Sequence, residues 1–208
     1  ALANGIPTLN EFFTAELAQS LVDKNGCKDI VFARNVIPHV KAIHSVIEGI
    51  KILLDDNGVG IIEFHDAGLI LDELHYDSIY HEHLFLFSLK TISKLLEMHS
   101  LYVFDILPSP ISGGSWVIYF SRQRKTKTEA LKHVEQHEVA TGINTLVRWL
   151  RFADEANAHA EDLKGIISGI GTQIMAYGAS ARSSTLLNFC QINHDQVLAI
   201  IDKNPLKH

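Results

Sequence analysis

Apolar residues along the chain switch between two spacings, and the switches lay out the elements. Over residues 7–24, Phe13, Leu17 and Leu21 recur at helical spacing, with Thr8 or Asn10 placed to cap the start and Gly26 to stop the end. Residues 29–36 form a short apolar run around Ile30, Val31 and Phe32, as expected of a strand covered on both faces. Residues 39–55 return to helical spacing through Val40, Ile43, Ile47, Ile50 and Leu54. Asp56-Asn57-Gly58 then turns the chain into a second buried strand, 59–64. Helix, strand, helix, strand with short connections predicts a parallel sheet with helices on its faces.

A further amphipathic helix, carrying Ile92, Leu95 and Leu96, is expected within 84–100. The alternation then breaks. Residues 101–107 and 116–121 are strand-like runs joined by residues 108–115 with no helix between, so they pair most easily as an antiparallel hairpin. Residues 127 to about 170 are helical, interrupted at Thr141-Gly142, with Leu146, Leu150, Phe152 and Leu163 expected in a core or at a domain interface. Residues 174–179, a short helix through Phe189, and 197–201 make a strand-helix-strand unit that opens a second α/β domain.

Composition narrows the classes. The chain has 208 residues, 47% hydrophobic and 20% charged, which suits a soluble globular protein with a real core. A net charge of -6 argues against nucleic acid as a partner, because neutralising phosphates takes clustered Lys and Arg. The one basic run, from Arg122 through Arg124 and Lys125 to Lys127, reads as a solvated linker, with a phosphate contact as the alternative. Cys27 and Cys190 lie far apart, which suits a reduced, cytoplasmic setting. No run reaches the roughly 18 apolar residues of a membrane span, and the amino terminus has no secretory pattern. The chain lacks an initial Met and stops at Lys207-His208 after a strand-like run, so both ends are expected to be cuts in a longer protein.

Candidate chemistry concentrates at Tyr80-His81-Glu82-His83. If these residues are extended, Tyr80 and Glu82 share one side and the histidines the other; if they form a turn, Tyr80 and His83 share a face. His75, His81 and His83 with Asp77 match no tight metal-ligand spacing, and a hydrogen-bonded network suits them equally, so no metal is assigned. Gly113-Gly114 either lets backbone approach a ligand or shapes a hairpin loop. Gly178, Ser180, Ser183, Ser184 and Thr185 open a helix after a strand, a place that favours phosphate but is equally a plain capped turn. The run is not the G-x-G-x-x-G dinucleotide fingerprint.

The segment 76–83, Tyr-Asp-Ser-Ile-Tyr-His-Glu-His, resembles the signature of SAM-dependent sugar C-methyltransferases of deoxysugar biosynthesis. In the same order, 35–40 (Asn-Val-Ile-Pro-His-Val), 112–115 (Ser-Gly-Gly-Ser), 177–182 (Tyr-Gly-Ala-Ser-Ala-Arg), 185–188 (Thr-Leu-Leu-Asn) and 202–207 (Asp-Lys-Asn-Pro-Leu-Lys) are similar to that family. The resemblance covers nearly the whole chain. It implies a partial class I SAM-methyltransferase sheet (Rossmann-like, α/β) that ends in an antiparallel hairpin over 1–125. A helical connector over 126–171 and the start of a C-terminal Rossmann-like domain over 172–208 would follow. The family's zinc-binding amino-terminal domain and its Gly-rich SAM loop have no counterpart in these residues. Trp116 stands where the resemblance leads one to expect Leu-Arg, and a basic substrate contact is absent there.

The resemblance implies S-adenosyl-L-methionine as cofactor, with zinc confined to the absent domain, and a nucleotide-linked deoxy keto sugar as substrate. Methylating a carbon beside a ketone requires a base to take its proton and a donor for the growing oxyanion. Histidine titrates near neutrality, and the resemblance makes His83 the base, with Tyr80 and Glu82 orienting it, relaying the proton or holding the sugar. His39 would face the same cleft, and Asn35 would hold the cofactor. Gly113, Gly114 and Ser115 would approach the sugar; Ser180, Arg182 and Lys203 would contact the diphosphate. An epimerase or isomerase using the same base, and a non-catalytic nucleotide-sugar binding module, are the competing readings. A sheet lacking its first strand exposes an edge, so association of the isolated chain is expected.

Overall fold

A computed structural model describes residues 2–207; Ala1 and His208, on which the expectation of cut ends partly falls, lie outside the described residues. In chain order the elements are α1 (Ala15–Asn25), β1 (Lys28–Arg34), α2 (Ile43–Leu53), β2 (Leu54–His65), α3 (Ala67–Asp72), α4 (Leu89–Met98), β3 (Tyr102–Ser109), β4 (Ser115–Ser121), α5 (Glu129–Thr141), α6 (Leu146–Gly169), β5 (Ile174–Tyr177), α7 (Ala181–Phe189) and β6 (Val197–Ile201). They fall into two compact units: Ala1–Phe64 with Ile92–Ser109 and Trp116–Lys132, and His65–Thr91 with Pro110–Ser115 and His133–His208.

The first unit holds a four-stranded sheet in the order β1-β2-β4-β3. β1 and β2 run parallel, with Ile30 opposite Val59 and Phe32 opposite Ile61. β3 and β4 are neighbours joined only by residues 110–114, too short for a parallel crossover, so they form the expected antiparallel hairpin and the sheet is mixed. The architecture is α/β, as read from the sequence. Gly60 on β2 leaves room for the Phe120 ring of β4: a Cβ there would lie 2.2 Å from it.

Several local expectations are corrected. α1 starts at Ala15 instead of near residue 7, because Thr14 is the N-cap: its side chain accepts from Leu17 N at 3.2 Å. α2 starts at Ile43; Ile37–His39 before it form a 3-10 turn around Pro38. The expected turn at 56–58 is absorbed into β2, opposite a register slip between Lys28 and Ile30. β1 is not covered on both faces. It ends the sheet order, and Ile30 and Phe32 are 65% and 57% exposed. The basic run is not free linker: Arg122 pairs with Asp56 at 3.0 Å, and Arg124 and Lys125 lie over the rings of Tyr102 and Phe104.

The second unit packs around Ile70, Leu71, Phe152, Ala156, Ile192 and Val197. Its two-stranded sheet pairs β5 and β6 in parallel across α7, as expected. α3, which the sequence pattern left unassigned, starts on Asp66, whose carboxylate accepts from Gly68 N and Leu69 N. The buried stripe of α6 runs Phe152, Ala156, Ala160, at a spacing of four. Leu146 and Leu150 lie off that stripe and are exposed, not core. No helix of the described residues is long and apolar enough to cross a membrane.

Candidate active site

Tyr80–His83 lies in the second unit, just after a 3-10 turn formed by Tyr76–Ser78. His83 N donates to Tyr80 O at 2.9 Å, which bends the chain into a turn and decides between the two geometries open from sequence. Tyr80 and His83 therefore share a face, with ring centroids 4.2 Å apart and Tyr80 Oη 3.2 Å from His83 Nε2. His83 Nδ1 sits 2.7 Å from Ser78 O. A carbonyl only accepts, so Nδ1 carries the proton and donates, and in the neutral ring Nε2 accepts from the Tyr80 hydroxyl. Burial, and then the Glu82 carboxylate, push the Tyr80 phenol up, so it stays a donor at neutral pH. His81 and Glu82 turn outward, with side chains 86% and 61% exposed.

Around this pair the second unit gathers a polar cluster. Asp77 holds Arg182 in a two-pronged pair, Nε to Oδ2 and Nη2 to Oδ1, both 2.8 Å. The hydroxyl of Tyr76 lies 2.8 Å from His159 Nδ1 and 3.3 Å from Cys190 Sγ. His65, at the carboxyl end of β2, stacks at a tilt on His75 with centroids 5.8 Å apart. Burial, then the charges of His75, Arg182 and His83, push His65 down to about 4.

The remaining candidates of this unit are placed as follows. Gly114 has φ 147, and a Cβ there would lie 2.2 Å from Leu69, so this glycine serves the loop's packing on α3. Gly113 lies beside His75. The Ser115 hydroxyl donates to Ile111 O at 2.9 Å. Ser180 caps α7 in a reciprocal box with Ser183. Arg182 commits one edge to Asp77. Lys203 is exposed, next to Asp202, whose carboxylate accepts from Ala179 N and Asn204 N. Among the described residues no three His, Cys, Asp or Glu side chains gather into a metal-binding group.

Asn35 and His39 belong to the first unit. Both follow the carboxyl end of β1, where open sheets place ligands. Asn35 is exposed, adopts φ 48, and its N–H donates to Glu63 O at 3.0 Å. Glu63 is buried and held by Arg34 at 2.7 Å and Ser109 at 2.7 Å. His39 ends the 3-10 turn, its N–H donating to Val36 O.

Sequence reasoning gave no role to the Ser78 carbonyl or His65, and weighed Asp77 only with the nearby histidines, as a metal group or a hydrogen-bonded network. Asp77 stood inside the 76–83 segment, but its partner lies 105 positions away. His65 followed the last residue assigned to a strand, so its place at the strand's end went unseen.

Comparison with known proteins adds two sequence similarities. Residues 110–208 match the model of the C-methyltransferase C-terminal domain. Over 209 residues, 98% of the chain, it is 28% identical to the C-methyltransferase NovU of Streptomyces niveus. The chain spans about half the length of that relative, 50% of it. Among solved structures, a SAM-dependent methyltransferase from Anabaena variabilis overlaps with a TM-score of 0.42 at 12% identity, covering 56% of this chain and 58% of that one. An O-methyltransferase family protein from Burkholderia thailandensis gives 0.41 at 15%, covering 62% and 38%. Overlaps this partial carry no argument. The sequence matches do: residues 110–208 are similar to the C-methyltransferase C-terminal domain, the chain as a whole is similar to a C-methyltransferase, and the C-methyltransferase resemblance read from its motifs is borne out.

Proposed function

We propose that this protein is a SAM-dependent C-methyltransferase that alkylates the carbon beside the keto group of a nucleotide-linked deoxysugar. The observation that carries the reading is the orientation of His83: Nδ1 donates to Ser78 O, and the lone pair of Nε2 faces a phenol. A base must present a lone pair, and an enolate must be met by a donor. One hydroxyl serves both needs. As charge grows on the keto oxygen, Tyr80 Oη–H turns from His83 to that oxygen, and the vacated Nε2 takes the carbon's proton. The high phenol pKa keeps that donor protonated throughout.

S-adenosyl-L-methionine, when bound, supplies the methyl that the enolate carbon takes. The residues present fit part of its site: Asn35, exposed at the carboxyl end of β1, suits a contact to it, and His39 lies beside that strand end. The N-terminus of α7, with Ser180 and the free edge of Arg182, and Lys203 nearby in sequence to β6, suit the diphosphate. Gly113, Gly114 and Ser115 would line the sugar's approach, and Glu82, turned outward, would hold the sugar instead of the base.

The test is to incubate the native polypeptide with the cofactor and a nucleoside-diphosphate 4-keto-6-deoxyhexose in D2O. The expected result is a methyl in place of the hydrogen on the carbon beside the ketone, with the cofactor consumed. His83→Ala should abolish both, and Tyr80→Phe should slow turnover about a hundredfold. A product methylated on oxygen or nitrogen would overturn the reading. Exchange without cofactor consumption would make the protein an epimerase or isomerase, and a His83→Ala variant altered in nothing but binding would make it a binding module.

A further inference from the structure

We propose that Asp77 is a positioning residue: through its two-pronged pair with Arg182 it holds the Ser78 carbonyl on His83 Nδ1 and so selects the tautomer whose Nε2 accepts. The consequence for turnover rests on the reading above; the tautomer itself does not.

The argument is a continuous set of contacts within the second unit. The Ser78 carbonyl lies 2.7 Å from His83 Nδ1. Ser78 ends the three-residue turn Tyr76–Ser78 and is itself buried. α7 grips that turn at both of its own ends. In its first turn Arg182 takes the Asp77 carboxylate with two bonds of 2.8 Å. At its other end Cys190 lies 3.3 Å from the Tyr76 hydroxyl, and the Phe189 ring lies 4.8 Å from the Tyr76 ring. His159 of α6 holds the same hydroxyl at 2.8 Å. Tyr76 is only 6% exposed, so this side of the turn is rigid. On the Asp77 side the side-chain hydrogen bonds are those of the ion pair. Guanidinium and carboxylate planes match only in the paired orientation, so the pair fixes direction as well as distance.

Without the pair, the turn pivots about the Tyr76 anchor and the Ser78 carbonyl swings off Nδ1. The imidazole is then free to take the other tautomer, with its proton on Nε2, where it can no longer receive one from carbon. The pair also links the base to the helix N-terminus proposed for the diphosphate, because Arg182 belongs to both.

The test is a long-range 1H–15N spectrum of histidine-labelled protein near pH 7, with His83 assigned from His83→Gln. Wild type is expected to show Nδ1 protonated and Nε2 as acceptor. Asp77→Ala should move His83 to mixed or Nε2-protonated shifts, and Arg182→Lys, which keeps the charge but loses the fork, should move it the same way. Where the keto-sugar assay works, Asp77→Ala should lower kcat about 10- to 100-fold, as loss of an orienting partner does. Wild-type His83 shifts in folded Asp77→Ala overturn the proposal, as does an Nε2-protonated wild type. Should Asp77→Ala fail to fold, Arg182→Lys decides by the same criterion. A wild type with the expected tautomer but no methyl transfer sinks the methyltransferase reading and leaves the positioning role standing.

Discussion

His65 shows how much one buried imidazole can report. It is 8% exposed, its Nε2 has no hydrogen-bond partner, and burial among positive neighbours pushes it down to about 4. In the unfolded chain an imidazole titrates near 6.5. Between those values the unfolded state binds the proton and the folded state does not, so folding stability falls as pH drops from 6.5 towards 4. The contribution is on the order of 3 kcal/mol across that window. His65→Gln keeps the Nε2 donor position without a titratable ring. Its denaturant midpoint should change less between pH 7 and pH 4 than that of wild type, measured by fluorescence on the tryptophans. Equal pH dependence in the two proteins would show that His65 is not the group responsible.

The start of α4 illustrates why helix boundaries resist sequence reading. Ser88 and Thr91 cap each other's backbone N–H groups, and Glu138, 49 positions away on α5, accepts from Leu89 N and Lys90 N. Glu138 is 5% exposed, and burial pushes its carboxyl up despite these three donors, the third being Asn144. Glu138→Ala should strand buried N–H groups and cost about 2 kcal/mol, read as a lower guanidinium midpoint with an unchanged slope. The periodicity of Ile92, Leu95 and Leu96 was visible, so the helix was expected; its first residue was not, because the acceptor comes from another element. α1 erred in the same way: Thr8 and Asn10 were sound caps by type, yet Thr14 is the residue whose side chain meets the helix N–H groups.

At the scale of the molecule, the uncovered strand β1 sets behaviour in solution. It ends its sheet with an unpaired backbone edge and with Ile30 and Phe32 exposed. Such an edge recruits a further strand, from another copy or elsewhere. The 208-residue chain should therefore associate as concentration rises in sedimentation velocity, and Phe32→Lys should shift it towards monomer. A wild type that stays monomeric at high concentration would show that this edge is harmless.

The order of elements, the parallel pairs β1-β2 and β5-β6 and the hairpin were legible from the chain, because periodicity and loop length are local properties. The 76–83 segment was legible as a motif, yet local spacing left its shape open between extended and turned. Which faces are covered was not legible: Leu146 and Leu150 fit a helical stripe but lie off the one that α6 buries. Nor was the state of His83. Its tautomer depends on Ser78, Ser78 on Asp77, and Asp77 on an arginine 105 positions later. Residue types dictate what each stretch can form on its own; only the folded chain brings distant charges within 3 Å and decides which lone pair is left for chemistry.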